Sequence, residues 1–181
     1  LVFNMLIKKH LFLLYLFCIT YISVANDNIP AFFEVSYKLY SNDTKIAQME
    51  RRVYRKEPKN YVFSSESKTT GLISLFRKDH VIEISNWKFL NSNIIPIHYS
   101  YKRTGGKKNR DVEINFNWNN QQIINRVNDS VWHMKTQSGV LDKLLYQLVI
   151  MIDLKSGNIP EKYMVADGGK IKEYVFEYIQ D

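Results

Sequence analysis

The 181 residues hold a single cysteine, Cys18, and it falls inside the most apolar stretch of the chain. One thiol makes no intrachain disulfide and no Cys-based zinc site, so the fold rests on burial and hydrogen bonds. Histidine is nearly as scarce. His80, His98 and His133 are the three beyond the N-terminal stretch. None stands in an H-x-H or H-E-x-x-H arrangement, so a metal would have to be gathered from scattered strands, and none is expected. Glycine-rich phosphate loops are missing as well. Gly105-Gly106 and Gly168-Gly169 each sit between two strand-like runs instead of opening a helix, which makes them turns. No G-x-S-x-G elbow supports a serine nucleophile. There is no internal repeat and no low-complexity linker. The sequence therefore assigns no catalytic residue and no cofactor.

Apolar and aromatic residues are plentiful. Hydrophobic residues make up 45% and aromatics 14% of the chain, enough for one domain with a real core. The start has the form of an export signal. Lys8 and Lys9 precede the apolar run Leu11–Val24, and Ser23-Val24-Ala25 offers small residues at the two positions that a signal peptidase reads. Residues 1–25 are read as a signal peptide cleaved after Ala25, with an uncleaved membrane anchor as the competing reading. Phe17 is too bulky to precede a lipidated Cys18. Cleavage would remove Lys8, Lys9 and no acid, lowering the formal charge from +7 to +5. The mature protein is then exported, periplasmic or in the cell envelope, where nucleic acid is not an expected partner.

From residue 26 onward the pattern is that of one antiparallel β domain. Phe33, Val35, Tyr37 and Leu39 alternate with Glu34, Ser36 and Lys38, as on a half-buried strand. Further strands are expected over 45–55, 61–67 and 81–90. Pro96 opens a hairpin, as suits an edge or first strand position. Ile97, Tyr99 and Tyr101 lead into the turn Thr104-Gly105-Gly106-Lys107. Val112, Ile114, Phe116 and Trp118 lead back. Strands over 122–127 and 131–135 follow. Asp167-Gly168-Gly169 then joins a strand over 163–166 to one over 171–179. Ending without a closing turn, that last strand would leave an apolar edge carrying Tyr174, Phe176 and Tyr178. The chain is accordingly read as truncated at Asp181, or as pairing there with another strand.

Two segments break the alternation. Leu72, Ile73, Leu75 and Phe76 cluster too tightly for a strand and predict a short helical turn or apolar flap near 71–77. Leu141, Leu144, Leu145, Leu148 and Ile152 fall on a helical stripe, widened by Val149, Ile150 and Met151. This predicts a helix over 141–154 buried on more than one side, capped by Ser138 or Asp142 and ended by Gly157 and Pro160. The fold class that follows is mainly β: an antiparallel meander curled into an open or half barrel and packed on one apolar helix. Alternation is equally satisfied by a closed barrel and by a sandwich.

Among charged residues, Asp111 with Glu113 and Glu173 with Glu177 are carboxylate pairs of the kind that outward strand faces normally carry. Lys102, Arg103, Lys107, Lys108 and Arg110 gather around one hairpin turn. A solvated tip is the bland reading, and contact with an anionic envelope surface is the functional one. Leu72, Leu75, Phe76, Leu144, Leu148 and Ile152 are plain core in the bland reading. In the functional reading they line a space between the curled sheet and its helix that holds a lipid or other amphiphilic ligand.

Four stretches in order carry a resemblance: Thr70-Gly71-Leu72-Ile73-Ser74-Leu75-Phe76; Ile97-His98-Tyr99-Ser100-Tyr101-Lys102-Arg103 with Gly105-Gly106-Lys107; Leu141-Asp142-Lys143-Leu144-Leu145-Tyr146-Gln147-Leu148; and Val165-Ala166-Asp167-Gly168-Gly169. From about Phe32 onward the chain resembles the bacterial exported family filed as domain of unknown function 3108. Where that family tends to have Pro after the Asp of the helix start, this chain has Lys143. The resemblance implies an envelope location, a mostly antiparallel β fold and further strands beyond Asp181, and it brings no catalytic residues. The reading that results is a non-catalytic exported envelope protein holding an apolar or amphiphilic ligand. An assembly or scaffold protein acting through strand pairing or the basic tip is the alternative. A hydrolase acting on envelope polymers would need converging polar residues in one cleft.

Overall fold

The alternation resolves into ten strands in the structure, a computed structural model that describes residues 32–90, 93–177 and 179. The expected leader 1–25 with its cleavage site, Asn91, Ser92, Tyr178 and residues 180–181 lie outside the described residues. β1 (Phe33–Ser41), β2 (Thr44–Glu57), β3 (Asn60–Thr69), β4 (His80–Leu90), β5 (Asn93–Thr104), β6 (Arg110–Asn117), β7 (Gln122–Val127) and β8 (Ser130–Lys135) form one sheet in sequence order. Every neighbouring pair is antiparallel, and β1 does not pair with β8, so the meander stays open. The β1–β2 turn works because Asn42 and Asp43 accept positive φ, 45° and 60°, the twist that a two-residue hairpin needs.

Register decides which side chains share a face. Phe33, Val53, Phe63, Ser85, Tyr99, Ile114, Asn125 and Trp132 form one cross-strand row. The adjacent residues on each strand point to the other face, which carries Arg52, Glu66, Lys102, Glu113 and Arg126 and is the solvated side. The inner face holds the core. Tyr61 stacks on Trp87 with centroids 4.6 Å apart, and Phe116 and Ile123 are buried beside them.

Pro96 departs from the expectation. It lies inside β5, a central strand, and it is buried. The register jumps from Asn86–His98 to Trp87–Pro96, which leaves Ile97 as a bulge on β5 beside it, and pairing with β6 begins only at His98. No ladder bond is therefore asked of its missing N–H. Its carbonyl accepts from Trp118 Nε1 at 2.7 Å.

The helix α1 spans Leu145–Lys155, four residues later at its start than the apolar stripe suggested. Leu141 is extended instead. It forms a parallel bridge to Val165, accepting from Ala166 N and donating to Met164 O, both at 2.9 Å. Asp142 then caps the helix: its Oδ1 accepts from the amides of Leu144 and Leu145 at 2.9 and 2.8 Å. Gly157, at φ 77°, follows the last turn. Leu144, Leu145 and Leu148 lie wholly in the core, worth about 2 kcal/mol each in burial. Val149, Ile150 and Ile152 pack partly against it, but Met151 is 53% exposed, so the burial is narrower than the sequence implied.

β9 (Lys162–Asp167) and β10 (Lys170–Val175) form a separate two-stranded sheet rather than extending the large one. The final strand is shorter than expected; it is an edge of that two-stranded sheet, but the rings of Tyr174 and Phe176 are packed. Tyr146 of α1 meets Tyr174 edge-on at 5.1 Å, and Phe176 packs on Tyr163 at 5.8 Å. Helix and hairpin together cover one end of the inner face. The short 3₁₀ turn Gly71–Leu75 stands at the other end, beside β2.

Candidate functional site

Two buried polar contacts fix the helix and hairpin to the sheet. Asp142 and Ser85 both have no solvent exposure, and Ser85 Oγ donates to Asp142 Oδ2 at 2.6 Å. Burial pushes the Asp142 carboxyl up to about 6, against the pull of Ser85 and the two capping amides toward the charged form. Asn125, equally buried, donates to the carbonyls of Glu113 and Arg126 and accepts from Gly169 N at 2.6 Å. Neither cluster offers a reacting atom to a substrate; both act as pins. Tyr99, whose hydroxyl donates to Glu83 Oε2 at 2.7 Å, is raised by burial and then by the Glu83 carboxylate.

Beyond these pins the inner face is uncovered. Val35, Tyr37, Leu39, Ala47, Met49 and Val81 occupy successive inner positions of β1, β2 and β4, and none belongs to the core cluster. They are half-buried or exposed.

The same half-face carries arginines with an unusual distribution of partners. Arg52, Arg77 and Arg126 each meet a carboxylate, from Glu34 and Glu50, from Asp79 and from Glu113 respectively. Arg52 and Arg126 are on the outer face and Arg77 is in a loop. Arg51, Arg103 and Arg110 are on the inner face, and among the described residues none of them has a carboxylate within ion-pair distance. Arg103 and Arg110 are directly opposed across β5 and β6, with Val81 on the far side of Arg103. Two like charges in such a pair repel, so the arrangement is costly without an anion between or above them. Buried Nε atoms of Arg51 and Arg103 lack a hydrogen-bond partner among the described residues. Glu83 is the inner-face acid nearest in register, opposite Ser65 and Tyr101, and its carboxylate is engaged by Tyr99.

The residues singled out in the sequence do not form one site. Leu144 and Leu148 are fully packed in the core and Ile152 is half-buried, whereas Leu72, Leu75 and Phe76 are exposed at the opposite end of the sheet. A groove of about 740 Å³ does adjoin the helix, at its C-terminal half, where Ile150, Leu154, Ile159 and Val175 line it and Glu161 and Glu177 stand beside them. The five basic residues also separate. Lys102 points to the outer face, Arg103 and Arg110 to the inner one, and Lys107 and Lys108 stand exposed at the turn. The turn itself is pressed against the loop before β4. A Cβ at Gly105 would collide with the Lys78 carbonyl, and one at Gly106 with the Asp79 carboxylate. Sequence reasoning missed the Asp142–Ser85 contact, Asn125 and the inner-face role of Arg51. Spacing by two from Val53 marked Arg51 as inward, and the register puts it in the row of Ser65, Glu83 and Tyr101, three strands from Arg103 and one inner position off its row.

Among the described residues no group of three or more His, Cys, Asp or Glu side chains could hold a metal ion, and no helix is long and apolar enough to cross a membrane. Comparison with known families finds one described as Protein of unknown function (DUF3108), whose profile matches residues 33–181. No curated protein and no solved structure matches the chain.

Proposed function

The chain belongs to that family of unknown function, and from this premise we propose that it is a non-catalytic, exported envelope protein that holds an acidic amphiphile on the open half of its inner sheet face. The apolar tail lies along Val35, Leu39, Met49 and Val81, beside the helix rather than beneath it, because Leu144 and Leu148 are already fully packed. The acidic head group is taken by Arg51, Arg103 and Arg110. The observation that carries this reading is the partner census. Among the described residues the outer-face Arg52 and Arg126 have carboxylates, and these three inner-face arginines have none. A guanidinium whose Nε is buried without a partner, as in Arg51 and Arg103, is most strongly satisfied by a carboxylate or phosphate, so an acidic ligand fits where a neutral one would leave the charges as they are. The leader-like composition of residues 1–25 supports export.

Native mass spectrometry of the purified chain, followed by lipid extraction, tests this. An acidic single- or double-chain amphiphile should co-purify, and Arg51→Gln with Arg103→Gln should lose it while the unfolding temperature holds. A chain that retains nothing and binds neither a long-chain fatty acid nor a phosphatidic acid would overturn the reading. The open edge of β8, which exposes Val131 and Trp132, favours a second reading of assembly through strand pairing. Concentration-dependent dimerisation abolished by Val131→Pro would support it.

A further inference from the structure

Leu72, Leu75 and Phe76 are 74%, 72% and 87% exposed, three large apolar side chains within five residues. Leu72 and Leu75, three apart, eclipse on one side of the 3₁₀ turn, and Phe76 follows at its C-cap. The exposure is not that of a frayed loop. Thr70 N donates to Ile46 O at 3.0 Å, Arg77 N to Ile73 O at 2.9 Å and Thr69 Oγ1 to Arg77 O at 2.8 Å. Gly71 has φ 68° and leaves no room for a side chain against the Lys45 carbonyl. The turn is thus held rigidly in a shape that presents apolar groups to water. Contiguous exposed apolar groups of this kind mark an interaction surface.

The surroundings of the turn specify the partner. The loop that leaves it continues through Arg77, Lys78 and Asp79, and the β5–β6 turn with Lys107 and Lys108 packs directly on Lys78 and Asp79. Asp79, the acid in this loop, is paired with Arg77 at 2.7 Å. Lys78, Lys107 and Lys108 have no acidic partner among the described residues.

We propose that this loop cluster docks the protein onto an anionic lipid bilayer. Leu72, Leu75 and Phe76 enter the boundary between head groups and acyl chains. Lys78, Lys107 and Lys108 meet the phosphates around them. The combination is that of interfacial binding, in which apolar insertion and head-group attraction add. The docking tip also sets the uncovered inner-face half at the membrane side of the molecule, although docking does not depend on a ligand being held there.

The test is flotation of the whole chain with phosphatidylcholine vesicles, with and without phosphatidylglycerol, at low and high salt. Wild type, Lys107→Gln/Lys108→Gln and Leu72→Ser/Leu75→Ser/Phe76→Ser are compared. Residues 1–31 are common to all three, so any binding they add cancels. Each surface lysine contributes about a factor of five to partitioning, so the double lysine variant should lose about 25-fold on anionic vesicles and little on neutral ones. The triple serine variant should lose binding to both. In a separate Phe76→Trp variant, the emission of the introduced indole should shift to the blue and be quenched by brominated acyl chains. All variants should unfold at the wild-type temperature, since the altered side chains are exposed. Equal binding of wild type to neutral and anionic vesicles, unchanged binding of either multiple variant, or an introduced indole whose emission ignores the vesicles would overturn the proposal.

Discussion

Replacing Asp142 by Asn should remove a pH dependence that Asp142 alone imposes. The carboxyl is fully buried, and burial raises it from an ordinary value of 3.8 to about 6. A carboxyl raised in the folded state stabilises the fold fully below its unfolded value and loses that contribution as pH rises through its folded value. The window is therefore about pH 4 to 6, and between pH 4 and pH 7 the wild type should lose about 2 kcal/mol from this group. Other carboxyls move the opposite way. Glu66 is held low by Lys68 and His80, and Asp167, though burial works against it, is held low by Lys172 and Lys143. Their effects are shared by wild type and variant, so the difference between the two isolates Asp142. Asn keeps an Oδ1 that accepts from Leu144 N and Leu145 N, and its amide can donate to Ser85 Oγ, so the cap survives without a buried charge. Ala leaves two amides and a hydroxyl without partners in a site closed to water, at a cost of about 3 kcal/mol or more. The assay is urea unfolding at half-unit steps from pH 4 to 7.5. Wild-type stability minus that of Asp142→Asn should fall across the series, and Asp142→Ala should be the least stable throughout. A flat difference would refute the raised carboxyl. An Asn variant as damaged as the Ala variant would refute the neutral-cap reasoning.

Leu148→Ala should cost about 2–5 kcal/mol by guanidinium unfolding, whereas Met151→Ala, three residues on and half exposed, should stay within about 0.5 kcal/mol. Gly169→Ala should destabilise by more than an ordinary helix or turn substitution, because φ is 81° and the new Cβ would sit 2.6 Å from Trp132 Cγ. Asn125→Ala should release the β9–β10 hairpin ahead of the large sheet, read as early amide exchange at Gly169 while Tyr99 and Ile114 stay protected.

Strand order, the turns and the apolar stripe of α1 were legible because each is a local pattern of period two or 3.6. The start of the helix was not. Leu141 fits the helical stripe, but its backbone bridges to Val165, a partner that only the folded chain brings near. Pro96 misled for a similar reason, since a bulge at Ile97 on its own strand removes the demand that keeps proline out of central strands. The separate terminal hairpin had no local signal at all: Asp167-Gly168-Gly169 announces a turn without saying which sheet it belongs to. In the candidate site the basic cluster Lys102–Arg110 was visible as charge, yet period two alone splits Lys102 from Arg103. What could not be read was that Arg51, distant in sequence, shares a face with them, or that the apolar turn at Leu72 and the basic turn at Lys107 meet the same short loop.

The meander carries one further consequence, for the order in which the molecule assembles. Each sheet strand pairs with the strand just before it, so the eight can form as the chain emerges N-terminus first, each new one closing only a short loop. The covering elements come last in sequence and dock through separations of 57 residues for Asp142 to Ser85 and 44 for Gly169 to Asn125. For that interval the whole inner face, arginines included, stands open to whatever it first encounters, and the helix and hairpin afterwards close only half of it.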